Sequence, residues 1–149
     1  MFSNYKKYHK IFKSCNVGSK SIPWNWCCDC PKCLFVYIIL SPFLTKEERI
    51  DIFGREVYDN ENLKTSFLEL IGVNETKPFE CVGTIDEVIF SLNKFIEKNE
   101  KLPYLVELYK EKYYKELDID LSYIDESEHN VPIEYLNILK EEIQKCINK

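Results

Sequence analysis

The apolar run at residues 34–40, Leu-Phe-Val-Tyr-Ile-Ile-Leu, carries on to Leu44 with only Ser41 and Pro42 breaking it. A segment apolar on every side predicts a helix at the centre of a core, here with Val36, Ile39, Leu40 and Phe43 innermost. Pro31 suits its first turn, where a missing N–H costs little, and Pro42 ends or kinks it. The run falls short of the about 20 residues that span a bilayer. It also follows a cluster of cysteines, which is not how a secretory signal begins. No membrane partner is expected.

Downstream the pattern turns to helical periodicity. Thr45 and Glu48 form a capping box, opening a helix with Ile50, Phe53 and Val57 on one face. Asp59 or Asn60 can cap the next, which groups Leu63, Phe67, Leu70 and Ile71 before Gly72 stops it. Residues 77–83, Lys-Pro-Phe-Glu-Cys-Val-Gly, read as an irregular, apolar-rich loop. Thr84 and Glu87 make a second capping box, followed by the stripe Ile85, Val88, Ile89, Leu92, Phe95 and Ile96. Pro103 opens a helix burying Leu105, Val106, Tyr109, Tyr113 and Leu117, with Glu111 and Lys115 as a surface pair one turn apart. A last helix starts near Asn130 and Pro132 and presents Tyr135, Leu136, Leu139, Ile143, Cys146 and Ile147. The acidic stretch 118–129 before it fails as a calcium loop. Tyr123 stands where such a loop needs glycine, and His129 where it needs glutamate. Upstream of the central run, residues 1–14 show no decisive period. Residues 15–20 read as a turn, and 21–26 as extended chain setting Trp24 and Trp26 beside the cysteines.

A chain of 149 residues with 45% hydrophobic content suffices for one domain with a core of its own. Ten Tyr and nine Phe against four Gly exclude a disordered chain and a loop-rich all-β fold. The expected class is mainly α. The net charge of −5 is uneven: residues 1–40 carry six Lys and one acid, and the remainder 14 basic and 24 acidic residues. The acidic total argues against a nucleic-acid partner. The positive start could meet phosphates or balance cysteine thiolates, a four-thiolate zinc centre being itself about −2.

Those thiolates are the candidate chemistry. Cys15, Cys27, Cys30 and Cys33 are spaced C-x11-C-x2-C-x2-C, with Cys28 inside the first short spacer and facing elsewhere. A two-residue spacer turns the backbone so that both sulfurs point inward, and four such thiolates close a tetrahedral shell around one structural Zn²⁺. Disulfides need an oxidising compartment, of which nothing gives a sign. A thioredoxin-like pair needs a single Cys-x-x-Cys opening a helix in an α/β setting. Iron–sulfur ligation stays open, since spacing alone does not separate it from zinc. The expected organisation is a zinc-binding segment, residues 1–33, packed as one unit with a helical domain, residues 34–149.

The cysteine pattern followed at once by a core helix resembles the zinc-binding tail of PP-loop ATP pyrophosphatases, among them the queuosine-precursor synthases. More narrowly, residues 26–36 and 41–44, together with 52–55 (Ile-Phe-Gly-Arg) and 77–83, resemble the C-terminal part of MurL-type epimerases of peptidoglycan synthesis. The likeness runs from about Phe12 to Leu92. It implies a cytoplasmic, ATP- and Mg²⁺-dependent inversion of the terminal L-glutamate of a UDP-linked muramoyl dipeptide. Adenylating a carboxylate acidifies the α-proton, and a base on one face with an acid on the other then inverts the centre. The resemblance raises Glu80 as base and Cys81 as its opposite-face partner; otherwise Phe79, Cys81 and Val82 are core fillers and Glu80 caps the following helix. The Ser-Gly-Gly-x-Asp-Ser loop that binds ATP in PP-loop enzymes is absent, the four glycines standing singly at Gly18, Gly54, Gly72 and Gly83. The expectation is therefore a C-terminal segment of a larger α/β PP-loop enzyme, or the partner of a separate nucleotide-binding chain, inactive alone. Another adenylating PP-loop enzyme, or a zinc-stapled helical interaction module, are the alternatives.

Overall fold

The computed structural model describes residues 2–76, 78, 82–117 and 130–147, the side chains of 146 and 147 excepted. Among these residues the regular structure is helical throughout, without a strand. None of the helices is long and apolar enough to cross a membrane.

Helix α1 (Pro31–Leu40) starts with its proline in the first turn and packs on two later helices, α3 (Lys64–Leu70) and α4 (Ile85–Lys98). Its buried positions are Cys33, Leu34, Tyr37, Ile38 and Leu40. The all-round apolar run is thus not surrounded on all sides. Val36 and Ile39 are half-buried, and Phe43, expected at the centre, is 58% exposed. The cause is the 3-10 turn Ser41–Phe43, with Pro42 in its first turn, which follows α1 directly. Its tighter winding swings Phe43 outward and brings Ser41, Pro42 and Leu44 inward.

Helix α2 (Lys46–Phe53) carries the expected capping box, Glu48 N–H to Thr45 Oγ1 and Thr45 N–H to Glu48 Oε2, and stops at Gly54 in the left-handed region. It buries Arg49, Ile52 and Phe53 rather than Ile50, which faces solvent. Val57 is buried but lies beyond the helix end, so the expected shared face does not form. Arg49 takes the inward position because its charge is answered there. Its Nε donates to Tyr37 Oη at 2.9 Å, Nη1 to the Leu44 carbonyl at 3.0 Å, and Nη2 lies 3.5 Å from Glu56 Oε2. The guanidinium also sits over the Phe95 ring, 5.0 Å from its centre.

Asn60 caps the 3-10 turn Glu61–Leu63 that leads into α3, and Leu63, Phe67, Leu70 and Ile71 are buried together as the pattern predicts. In α4 the second capping box forms, and Val88, Ile89, Leu92 and Phe95 line the core. Helix α5 (Tyr104–Lys112) buries Leu105, Val106 and Tyr109, with Tyr113 and Leu117 half-buried. It ends at Lys112, so Glu111 and Lys115 do not share a helical face. The Tyr109 hydroxyl explains the early stop: it donates to Asn93 Oδ1 and accepts the Lys115 N–H, folding the chain back on α4. Helix α6 (Ile133–Ile147) lies at the surface, with Leu136, Leu139 and Ile143 half-buried and Tyr135 exposed. The acidic stretch 118–129 falls outside the described residues.

Candidate metal centre

Three of the four candidate ligands stand at the entrance to α1 and the fourth is brought back from upstream. Cys30 is the N-cap of α1, its extended backbone turning the sulfur onto the Cys33 N–H at 3.5 Å, and Cys33 follows in the first turn. Cys15 opens a turn in which Ser19 N–H returns to its carbonyl, and its sulfur accepts the Gly18 N–H at 3.1 Å. Gly18 lets that turn close. A Cβ at this position would fall 1.7 Å from the Asn25 carbonyl oxygen, so any side chain would push residues 15–18 away from 25–27. Trp26 is buried against Phe53, ring centres 4.8 Å apart, while the half-exposed Trp24 reaches the Cys15 carbonyl with its ring N–H at 3.4 Å. Both tryptophans flank the cluster as expected.

The four sulfurs converge, all within 4.8 Å of one another. Cys15 and Cys30 are 4.0 Å apart, and Cys27 and Cys33 3.7 Å. Disulfide bonding, at about 2.05 Å, does not describe these distances. A tetrahedron with metal–sulfur bonds of about 2.3 Å has edges of about 3.8 Å. The donor set therefore fits one shared ion. Cys15 and Cys33 have no solvent exposure, Cys30 very little, and Cys27 is half-buried, so the ligand set is largely shielded from solvent, as suits a structural site.

Proton placement supports this. Hydrogen bonding from the Cys33 thiol, with the Cys33 amide assisting, draws Cys30 down to about 5. Its neighbours keep their protons: Cys33 is pushed up chiefly because it donates to Cys30, and Cys27 is raised to about 12 by burial. A cation entering the cluster would displace the protons held on Cys27 and Cys33. Cys28 is apart from the set, as expected. It is buried, raised to about 11 by desolvation, and its sulfur donates to the Phe53 carbonyl at 3.2 Å.

Sequence reasoning gave Asn60 only a capping role. Its Nδ2 also donates to the Cys28 carbonyl and to Asp29 Oδ1, each at 3.0 Å, tying the cysteine loop to α3. No local pattern signals a bond made 32 residues away in sequence. Glu80 and Cys81, the candidate proton-transfer pair, lie outside the described residues. The flanking Val82 packs against the core, and the capping box of α4 begins at Thr84.

The MurL C-terminal domain family model matches residues 11–118. Over 102 residues the chain is 35% identical to a UDP-N-acetyl-alpha-D-muramoyl-L-alanyl-L-glutamate epimerase of Micromonospora sp., a match covering 67% of this chain and 23% of the relative. Relatives of the same name in Salinispora tropica and Xanthomonas oryzae pv. oryzae are 35% and 37% identical. These two matches cover 66% and 55% of the chain and 22% and 19% of the relatives. The chain thus spans less than a quarter of the length of the curated relatives it matches. No solved structure matches it.

Proposed function

The chain belongs to the MurL C-terminal domain family, and from that premise we propose that it is the zinc-bearing C-terminal part of an enzyme that epimerises the terminal glutamate of a UDP-linked muramoyl-L-alanyl-L-glutamate. The observation that carries the reading is the family match over residues 11–118, a span that contains all four converging cysteines. The zinc is structural: a closed shell of four thiolates leaves no open position for substrate, and it staples the 15–27 loop to the head of α1. ATP and Mg²⁺ act in the nucleotide-binding part of the complete enzyme, where the glutamate carboxylate is activated. The reaction takes place in the cytoplasm, where its nucleotide-linked substrate is made.

Within this part of the enzyme, the 77–83 loop is the segment proposed to reach the substrate. It leads into the N-terminus of α4, whose helix dipole favours an anionic ligand. There Glu80 takes the α-proton and Cys81 returns one from the opposite face. A chimera tests both levels. In it, residues 11–118 replace the matching segment of the Micromonospora relative, and D-glutamate is counted after hydrolysis of the product. The chimera is expected to epimerise. Loss of activity with zinc and helicity intact would contradict the assignment. In the same chimera Glu80→Gln or Cys81→Ala should lose about 10² or more, the scale of a positioned acid or base. Rates within a few-fold of the parent for both would make the loop structural.

A further inference from the structure

Cys27 and Cys30 are joined by a two-residue spacer, Cys28 and Asp29, whose backbone is poorly suited to stand alone. Cys28 has a φ of +54°, a left-handed conformation that a residue with a Cβ seldom adopts. Something must hold it. The Cys28 carbonyl and the Asp29 N–H belong to one planar peptide unit, so fixing the direction of one fixes the other. Asn60 Nδ2 donates to that carbonyl at 3.0 Å, holding the peptide that lies between Cys27 and Cys30. A second bond from Nδ2 to Asp29 Oδ1, also 3.0 Å, locks the side chain on the same residue pair. The other end of the Asn60 amide is spent on the Asn62 N–H at 3.1 Å, which anchors it to the turn opening α3.

We propose that Asn60 is a positioning residue of the metal centre, holding the Cys28–Asp29 peptide in the left-handed turn that keeps the Cys27 and Cys30 sulfurs converged, and so slowing release of the metal. The inference rests on the reading that the four cysteines bind zinc. Losing an outer partner that orients the ligands weakens metal affinity about 10–100-fold. Asn60 can be separated from its helix-capping role. Asn60→Ser keeps an oxygen able to accept the Asn62 N–H but removes both Nδ2 donations and adds no charge.

The test is transfer of zinc from the 149-residue chain to an excess of a chromophoric chelator, after the metal content of each protein has been counted. Asn60→Ser is expected to load one zinc and to release it about tenfold faster or more than the parent. Thr84→Ala, which removes a cap on α4 remote from the cluster, should release at the parent's rate despite lower stability. With Co²⁺ in place of zinc, the thiolate charge-transfer band should shift in Asn60→Ser and not in Thr84→Ala. Release from Asn60→Ser within twofold of the parent would overturn the proposal, as would equal acceleration in Thr84→Ala. A parent chain that holds no metal would overturn the metal reading itself, and the count made before chelation tells that failure apart.

Discussion

At the scale of single residues, the four sulfurs were legible because ligand spacing is a local property: two residues between Cys27 and Cys30, and two between Cys30 and Cys33, dictate convergence. Asn60 was not, since its partners are distant in the chain and its residue type is sufficiently explained by a cap. Two outcomes follow for the cluster. Cys30→Ser removes a ligand while keeping a side-chain acceptor at the N-cap of α1, so the variant should bind no stoichiometric zinc and lose several kcal/mol of stability, metal affinity here being folding energy. Metal analysis with denaturant unfolding checks both. The second concerns pH. Cys27 and Cys33 hold their protons more tightly than ordinary thiols, and zinc must displace them. Affinity should therefore rise with pH and fall on acidification, by up to about 100-fold per unit while two protons compete. Competition titrations between pH 6 and 8 measure the slope, and a flat profile would contradict the proton placement.

At the scale of elements, helix starts were read well and helix faces less well. Both capping boxes stand where Thr45 and Thr84 announced them, because the motif is complete within four residues. Thr45→Ala or Thr84→Ala should each cost about 1 kcal/mol in denaturant melts. Faces depend on where an element stops and on what it meets. The apolar run predicts Phe43 inward, but the 3-10 turn after α1 rotates it out. Phe43→Ala should consequently change stability by no more than about 0.5 kcal/mol, whereas Ile38→Ala, fully buried, should cost about 2–5 kcal/mol. Equal losses would restore the original inward placement. Similarly, Ile50 lost its inward place to Arg49, an outcome that hydrophobic periodicity is blind to, because the arginine's partners Tyr37, Leu44 and Glu56 come from other segments.

At the scale of the whole molecule, that arginine joins α1, α2 and the loop carrying Glu56 into one buried network. Glu56→Gln leaves its guanidinium without a counter-charge and should destabilise the chain by about 3–5 kcal/mol, more than removal of any exposed ion pair. The mainly helical class followed from composition and periodicity. The expected partnership with a nucleotide-binding part comes from resemblance rather than from any residue pattern. What unites these scales is the proposed metal, which would tie the cysteine loop to the helical body, so its presence is the point to measure. Native mass spectrometry of the chain purified without chelator, paired with elemental analysis, should show one zinc per chain, lost in Cys30→Ser and unaffected in Cys28→Ala. Iron with visible absorption, or a folded chain carrying no metal, would contradict the account.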